Sequence, residues 1–311
     1  MEDKKFDPRK FIDRDFEQSQ FEDLLKFDDH TRILAICDDG GMGKTELLKK
    51  LYHRCVSVKP YTPVSLIDLS QEEFNNPLIL VNQIAHELAS RFQVQFPKFE
   101  ELYFAQLSGD FDLIRSSSVH LDGSNFAGAQ GFRIASKQTN IDNIGAVGAM
   151  FLGNSSDKKL SAEQQAIASR LCINAFFNDL KEHCNRGHEA KVVLLLDAFE
   201  KCQDELKEWI VGYLMANHFF NLEYRPARLV LVVAGRETPD FEMKWDMEDI
   251  KAIVKSRKLG KWEKEHVEKC LRVNGFIYEA NHLELFWNMI QNGMPPSLVI
   301  EGMHSILRRQ Q

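Results

Sequence analysis

The sequence predicts a three-layer α/β fold, with a parallel sheet between two helical layers and a small all-helical domain at the carboxyl end. Three observations predict it. Over Arg32 to Leu51 (RILAICDDGGMGKTELLKKL) an apolar run meets a glycine cluster and then switches to helical spacing. Lys191–Asp197 and Leu229–Ala234 are near-continuous apolar runs, as expected of strands covered on both faces. Helical patterns lie between the strand patterns, and that alternation builds a parallel, doubly wound sheet.

In chain order, residues 1–30 form a charged lead-in in which Phe16 to Phe27 has helical spacing. Residues 31–258 form the sheet domain. Ile33 to Cys37 reads as its first strand, followed by a helix with Leu47, Leu48, Leu51, Tyr52 and Cys55 on one face. Pro63 to Ser70 reads as a second strand and Asn76 to Phe92 as a helix. Over residues 108–159 the composition turns to Gly, Ser, Asn and Asp with weak periodicity, and this stretch reads as an insertion. Ser161 and Gln164 have the spacing of a capping box that opens the next helix. The strand ending at Asp197, a helix around Leu206 to Leu214 and the strand ending at Ala234 follow. Strand signals stop at Leu259. Trp262–Val273, Asn281–Gln291 and Ser297–Arg308 read as the three helices of a domain spanning 259–311, with Asn292-Gly293 closing the second and Pro295-Pro296 opening the third.

The chemistry concentrates where the first strand ends. Gly40, Gly41, Met42 and Gly43 precede Lys44, Thr45 and Glu46. Glycines let backbone N–H groups curl around an anion, and the helix start adds unpaired donors and its positive dipole end. In such a loop Lys44 reaches the β- and γ-phosphates of a nucleotide and Thr45 ligates Mg²⁺. The full G-x-x-x-x-G-K-[ST] pattern wants glycine at position 38, where this chain has Asp38 followed by Asp39. Both carboxylates are expected to turn away from a triphosphate, which would repel them.

A phosphate loop needs a second carboxylate-bearing strand for the metal, and Asp197 at the end of VVLLLD has that form. Glu200, three residues on, either orients an attacking water or supports a helix start. Arg236 follows the next strand in Val233-Ala234-Gly235-Arg236, at the edge where parallel sheets bind ligands. It suits a γ-phosphate, a catalytic carboxylate or a structural salt bridge. In the lead-in, Phe11-Ile12-Asp13-Arg14-Asp15 by itself suggests only a solvated Arg14.

Composition bounds the alternatives. The 311 residues carry 44% hydrophobic and 27% charged residues and a formal charge of −7, the make-up of a globular protein. The acidity argues against a nucleic-acid surface. Six cysteines show no metal-binding spacing, and Cys184, close in sequence to His188, is expected at the surface. No apolar run approaches the roughly 18 residues of a membrane span and no signal peptide is visible, so a cytoplasmic location is expected.

Taken together, the lead-in FIDRD, DDGGMGKT, LLLDAFEK, VVAGRE and Gly293-Met294-Pro295 resemble the STAND class of P-loop NTPases, bacterial type, the signal-transduction ATPases that include the NB-ARC switches. The resemblance implies a sheet of the P-loop NTPase (ASCE) type. It also implies a slow ATPase switch in which ADP bridges the sheet and helical domains, and exchange for ATP permits homo-oligomerisation. On this likeness Arg14 approaches the base or ribose, Arg236 is a sensor arginine, and Pro295 lies against the nucleotide. ATP or ADP with Mg²⁺ is the implied cofactor set, with sensor and effector parts outside this chain. The departures are Asp13 and Asp38, where the family carries glycine, and Ala198, where many relatives carry a second acid. The alternatives are a nucleic-acid-associated ATPase of the AAA+ type and a nucleotide-binding scaffold without turnover.

Overall fold

In the computed structural model the described residues are 6–9, 11–27, 30–109, 114, 161–187, 190–242 and 244–307. Apart from Ser108, Gly109 and Ile114, the expected insertion lies outside them, as do His188 and the end of the last expected helix at Arg308.

Among the described residues, five parallel strands form one sheet: β1 (Ile33–Cys37), β2 (Val64–Asp68), β3 (Val192–Asp197), β4 (Leu229–Gly235) and β5 (Val254–Lys258), in the order β2-β3-β4-β1-β5. Alternate residues of each strand face opposite sides, and both sides are apolar. One side buries Ile33, Ala35, Leu194, Leu196, Leu231 and Val233. These pack against α3 (Pro77–Phe92), α4 (Pro97–Ser108), α5 (Ala162–Asn185) and α6 (Asp204–Trp209), which continues as a wider π-wound segment, Ile210–Phe220. The other side buries Leu34, Ile36, Val193, Leu195, Val230 and Val232 against α1 (Asp15–Lys26) and α2 (Lys44–Ser57). Both faces of the sheet are therefore covered.

Local signals explain the boundaries. Asn76 accepts the N–H groups of Leu78 and Ile79 with Pro77 in the first turn, so α3 starts with satisfied donors. Ser161 and Gln164 form a reciprocal capping box on α5. The acceptor that caps α4 comes from another helix: buried Asp179 of α5 accepts from Lys98 N at 2.9 Å and Phe99 N at 3.0 Å.

α4, the segment Met247–Lys258 and the burial of Cys184 depart from the sequence expectation. β5, preceded by α7 (Met247–Ile253), reads Val-Lys-Ser-Arg-Lys. As an edge strand it buries only Val254 fully, so it lacks the apolar run that marks a central strand. Cys184 is fully buried in the α5 face of the core, not at the surface.

A third apolar cluster joins α8 (Lys264–Val273), α9 (Ala280–Gln291) and α10 (Pro296–Leu307) through Val267, Leu271, Phe286, Ile290, Val299 and Met303. Ile12 of the lead-in lies in this same cluster. Among the described residues no helix is long and apolar enough to cross a membrane.

Candidate nucleotide site

Parallel registry aligns the carboxyl ends of the strands: Cys37 pairs with Gly235 and Asp68 with Asp197. The turns after β1, β3 and β4 thus meet at one edge of the sheet, where parallel α/β folds bind ligands. Lys44, Thr45, Asp197, Glu200 and Arg236 come from these three turns.

The turn after β1 is a glycine loop, with left-handed Gly41 (φ 78°) and Gly43 (φ 90°), which leads directly into α2 at Lys44. Both conformations are open to glycine and strained for other residues. Among the described residues, no backbone N–H from Gly40 to Gly43 donates to another protein group. Lys44 is buried, and its Nζ donates to the carbonyls of Asp38 at 2.6 Å and Asp39 at 2.8 Å. An ammonium has three donors, so one is left for an incoming anion. Burial pushes the Lys44 pKa below the ordinary lysine value; Glu200, Asp38 and Asp197 oppose that shift, and Arg236 adds to it.

Asp39 is exposed. Asp38 is buried, with Oδ1 accepting the Asp39 N–H at 2.7 Å and Oδ2 without a partner. Its charge pulls on Lys44. Glu46 is exposed, and its carboxylate pairs with Lys49 at 2.9 Å. What Glu46 offers the site is its backbone N–H in the first turn of α2.

Asp197 is buried at the end of β3 and accepts a hydrogen bond from Ala198 N at 2.9 Å, with the Thr45 hydroxyl nearby. Burial pushes its pKa above the ordinary aspartate range, opposed by the Thr45 hydroxyl and the Ala198 N–H and reinforced by Asp68 and Glu200. A hydroxyl beside a carboxylate is a hard-oxygen pair suited to Mg²⁺, which typically takes one or two carboxylates and completes its shell with phosphate oxygens and water. The residues present fit that ion. Among the described residues no cluster of three or more His, Cys, Asp or Glu could hold a metal by itself.

Glu200 and Arg236 meet. Glu200 Oε2 accepts from Arg236 N at 3.1 Å, and Oε1 lies 3.5 Å from the guanidinium Nε. The Glu200 side chain is 17% exposed and that of Arg236 62%, so the arginine stands at the open side. The guanidinium also comes close to the loop: a Cβ on Gly40 would sit 3.2 Å from it.

Two segments reach the loop from outside the sheet. A Cβ on Gly41 would lie 2.8 Å from Pro295 Cβ and 2.5 Å from Ser297 Oγ, and Ser297 N donates to Gly41 O at 3.3 Å. Pro295 therefore packs on the loop, and Ser297, which sequence reasoning missed, hydrogen-bonds to it. Arg14 is 4% exposed and donates to Met42 O at 3.1 Å and Gly260 O at 2.8 Å. It is not the solvated arginine its local sequence suggests. Both of its acceptors are backbone carbonyls far away in sequence, a pairing that no local pattern signals. Asp13, at φ 68°, reaches Arg14 at 3.4 Å and His266 of α8 at 3.5 Å.

Compared with protein-family models and with curated proteins, the sequence has no match.

Proposed function

We propose that this chain is the ATP- and ADP-binding switch module of a slowly hydrolysing P-loop ATPase, of the STAND type its motifs resemble. The observation that carries the reading is buried Lys44 at the start of α2, its Nζ hydrogen-bonded to the loop carbonyls of Asp38 and Asp39, with the carboxylates of Asp197 and Glu200 close enough to act on its charge. It sets a cation beside a strand-end carboxylate, at a loop whose backbone donors from Gly40 to Gly43 have no protein partner among the described residues. The preference for adenine rests on the resemblance alone.

In this reading the loop N–H groups and the third Lys44 donor hold the β- and γ-phosphates. Thr45 and Asp197 would hold Mg²⁺, which when bound neutralises charge on the phosphate oxygens. Arg236 faces the charge that develops on the transferred phosphoryl group. Glu200, once released from Arg236, orients the water whose oxygen attacks the γ-phosphorus as the bond to ADP breaks. Pro295 and Ser297 make the helical domain part of the site, so a nucleotide there biases how the two domains are arranged. Homo-oligomerisation in the ATP state, and sensor and effector parts elsewhere, complete the proposal.

One observation favours a second reading, a nucleotide-binding scaffold without turnover: Glu200 is occupied by Arg236 through both backbone and side chain. The test common to both is calorimetry of ADP and ATP with and without Mg²⁺, together with phosphate release. Binding that Lys44→Ala abolishes supports the site; phosphate release selects the switch and its lack the scaffold. Binding that ignores Lys44 removes both.

A further inference from the structure

We infer that Arg14 is a positioning residue for the phosphate-binding donors of the loop, acting through the carbonyl of Met42, with the first turn of α10 acting in the same way through Gly41. This rests on the phosphate-loop reading of residues 40–46. It departs from the base or ribose contact that the resemblance implies for Arg14.

The argument starts from the peptide unit. A trans peptide is planar, and its C=O and the following N–H point in opposite directions. Ser297 N holds Gly41 O at 3.3 Å, so the Met42 N–H must point away from α10. Arg14 holds Met42 O at 3.1 Å, so the Gly43 N–H must point away from the lead-in. Neither N–H has a protein acceptor among the described residues. Three of the four residues from Gly40 to Gly43 are glycines, whose peptides rotate easily when nothing holds them. Two outside grips therefore set the direction of two inward donors before any anion arrives, the preorganisation that makes an anion site effective.

Arg14 suits this task. Its guanidinium is a rigid fork, buried to 4% exposure, and it spans the Met42 carbonyl at 3.1 Å and the Gly260 carbonyl at 2.8 Å. The ligand served by such a grip is an oligophosphate, whether or not it carries a nucleoside. The grips also depend on residues 260 and 297, next to or inside the helical domain, so loop competence is coupled to the docking of that domain.

The test is calorimetry of the full chain with ADP and with pyrophosphate, which has neither base nor ribose. Arg14→Ala is expected to weaken both ligands by the same factor, about tenfold, as for loss of a charged hydrogen bond. Added methylguanidinium is expected to restore part of both affinities, which a merely destabilised chain would not show. If Arg14→Ala weakens ADP and leaves pyrophosphate at wild-type affinity, the inference is overturned in favour of a base or ribose contact. If Arg14→Ala does not fold, Arg14→Gln, which keeps one donor group, gives the same comparison. A wild-type chain that binds neither ligand, or binds both with no loss in Lys44→Ala, overturns the phosphate-loop reading and this inference with it. A Lys44-dependent wild type whose Arg14 variants bind both ligands normally overturns this inference alone.

Discussion

The hydroxyl of Thr45 lies close enough to the carboxylate of Asp197 to pull against the rise in its pKa, although the strands that deliver them, β1 and β3, are separated in the sheet by β4. An oxygen pair formed from two turns can take up a shared cation. Asp197→Asn is expected to retain much of the ADP affinity and to lose the Mg²⁺ dependence of ATP binding, measured by titration at several Mg²⁺ concentrations. Because burial raises the Asp197 pKa, wild-type Mg²⁺ dependence is expected to fade on acidification at a higher pH than an ordinary aspartate would give. Retention of the dependence in Asp197→Asn would move the metal to another carboxylate, with Asp68 the first to test.

Lys44→Ala removes a buried cation whose Nζ hydrogen bonds go to the loop's own carbonyls. Triphosphate affinity is expected to fall below detection while thermal stability changes little, since the apolar layers are untouched. Calorimetry and a melting curve on the same sample measure both. Unchanged affinity would end the phosphate-loop assignment.

Glu200→Gln separates catalysis from support. If Glu200 orients water, turnover is expected to fall ~10²–10⁴-fold with ATP affinity nearly intact. The ATP state should then accumulate as oligomers, visible by light scattering. A change of only a few-fold would leave Glu200 as the partner of Arg236 and favour the scaffold.

Gly41→Ala tests the docking of α10. The new methyl would meet Pro295 and Ser297 at 2.8 and 2.5 Å, and the φ of 78° costs a non-glycine residue about 1–2 kcal/mol. Weaker ADP binding and faster proteolysis between residues 259 and 264 are expected. Wild-type behaviour in both would detach Pro295 from the site.

Asp179 offers a check on the fold alone. Asp179→Ala leaves the Lys98 and Phe99 N–H groups of α4 unmatched, a loss of about 0.5–2 kcal/mol by denaturant unfolding. Asp179→Asn keeps an acceptor and should cost less. Burial raises the Asp179 pKa, so between its unfolded and folded values the native state holds more protons. Unfolding free energy must then fall as pH rises through that window, a slope that Asp179→Asn should remove.

The legible parts were those written in adjacent residues. The glycine loop, the strand ending in Asp197 and the Ser161–Gln164 cap each follow from a short stretch and its physics. β5 was hidden because Lys255, Ser256, Arg257 and Lys258 suit a half-solvated edge and carry no apolar run. The Glu200–Arg236 pair exists only because β3 and β4 are neighbours in register. The grips of Arg14 and Ser297 end on main-chain carbonyls, and a carbonyl leaves no trace in the choice of side chain.

Ile12 is anchored among α8, α9 and α10, whereas Phe21, Leu24 and Leu25 of α1 are anchored under the sheet. The lead-in therefore works as a strap with one end in each body. Between the anchors lie Asp13 and Arg14, consecutive non-glycine residues at φ 68° and 73°, a costly backbone posture for both. If the helical body swings, residues near Ile12 travel with it, and the chain crosses between the bodies at two places, Asp13–Arg14 and Leu259–Lys261. Two crossings at separate points define an axis. Any swing of the helical body would have to turn about the line joining them, and Arg14, bonded to both Met42 O and Gly260 O, already ties the glycine loop to that line.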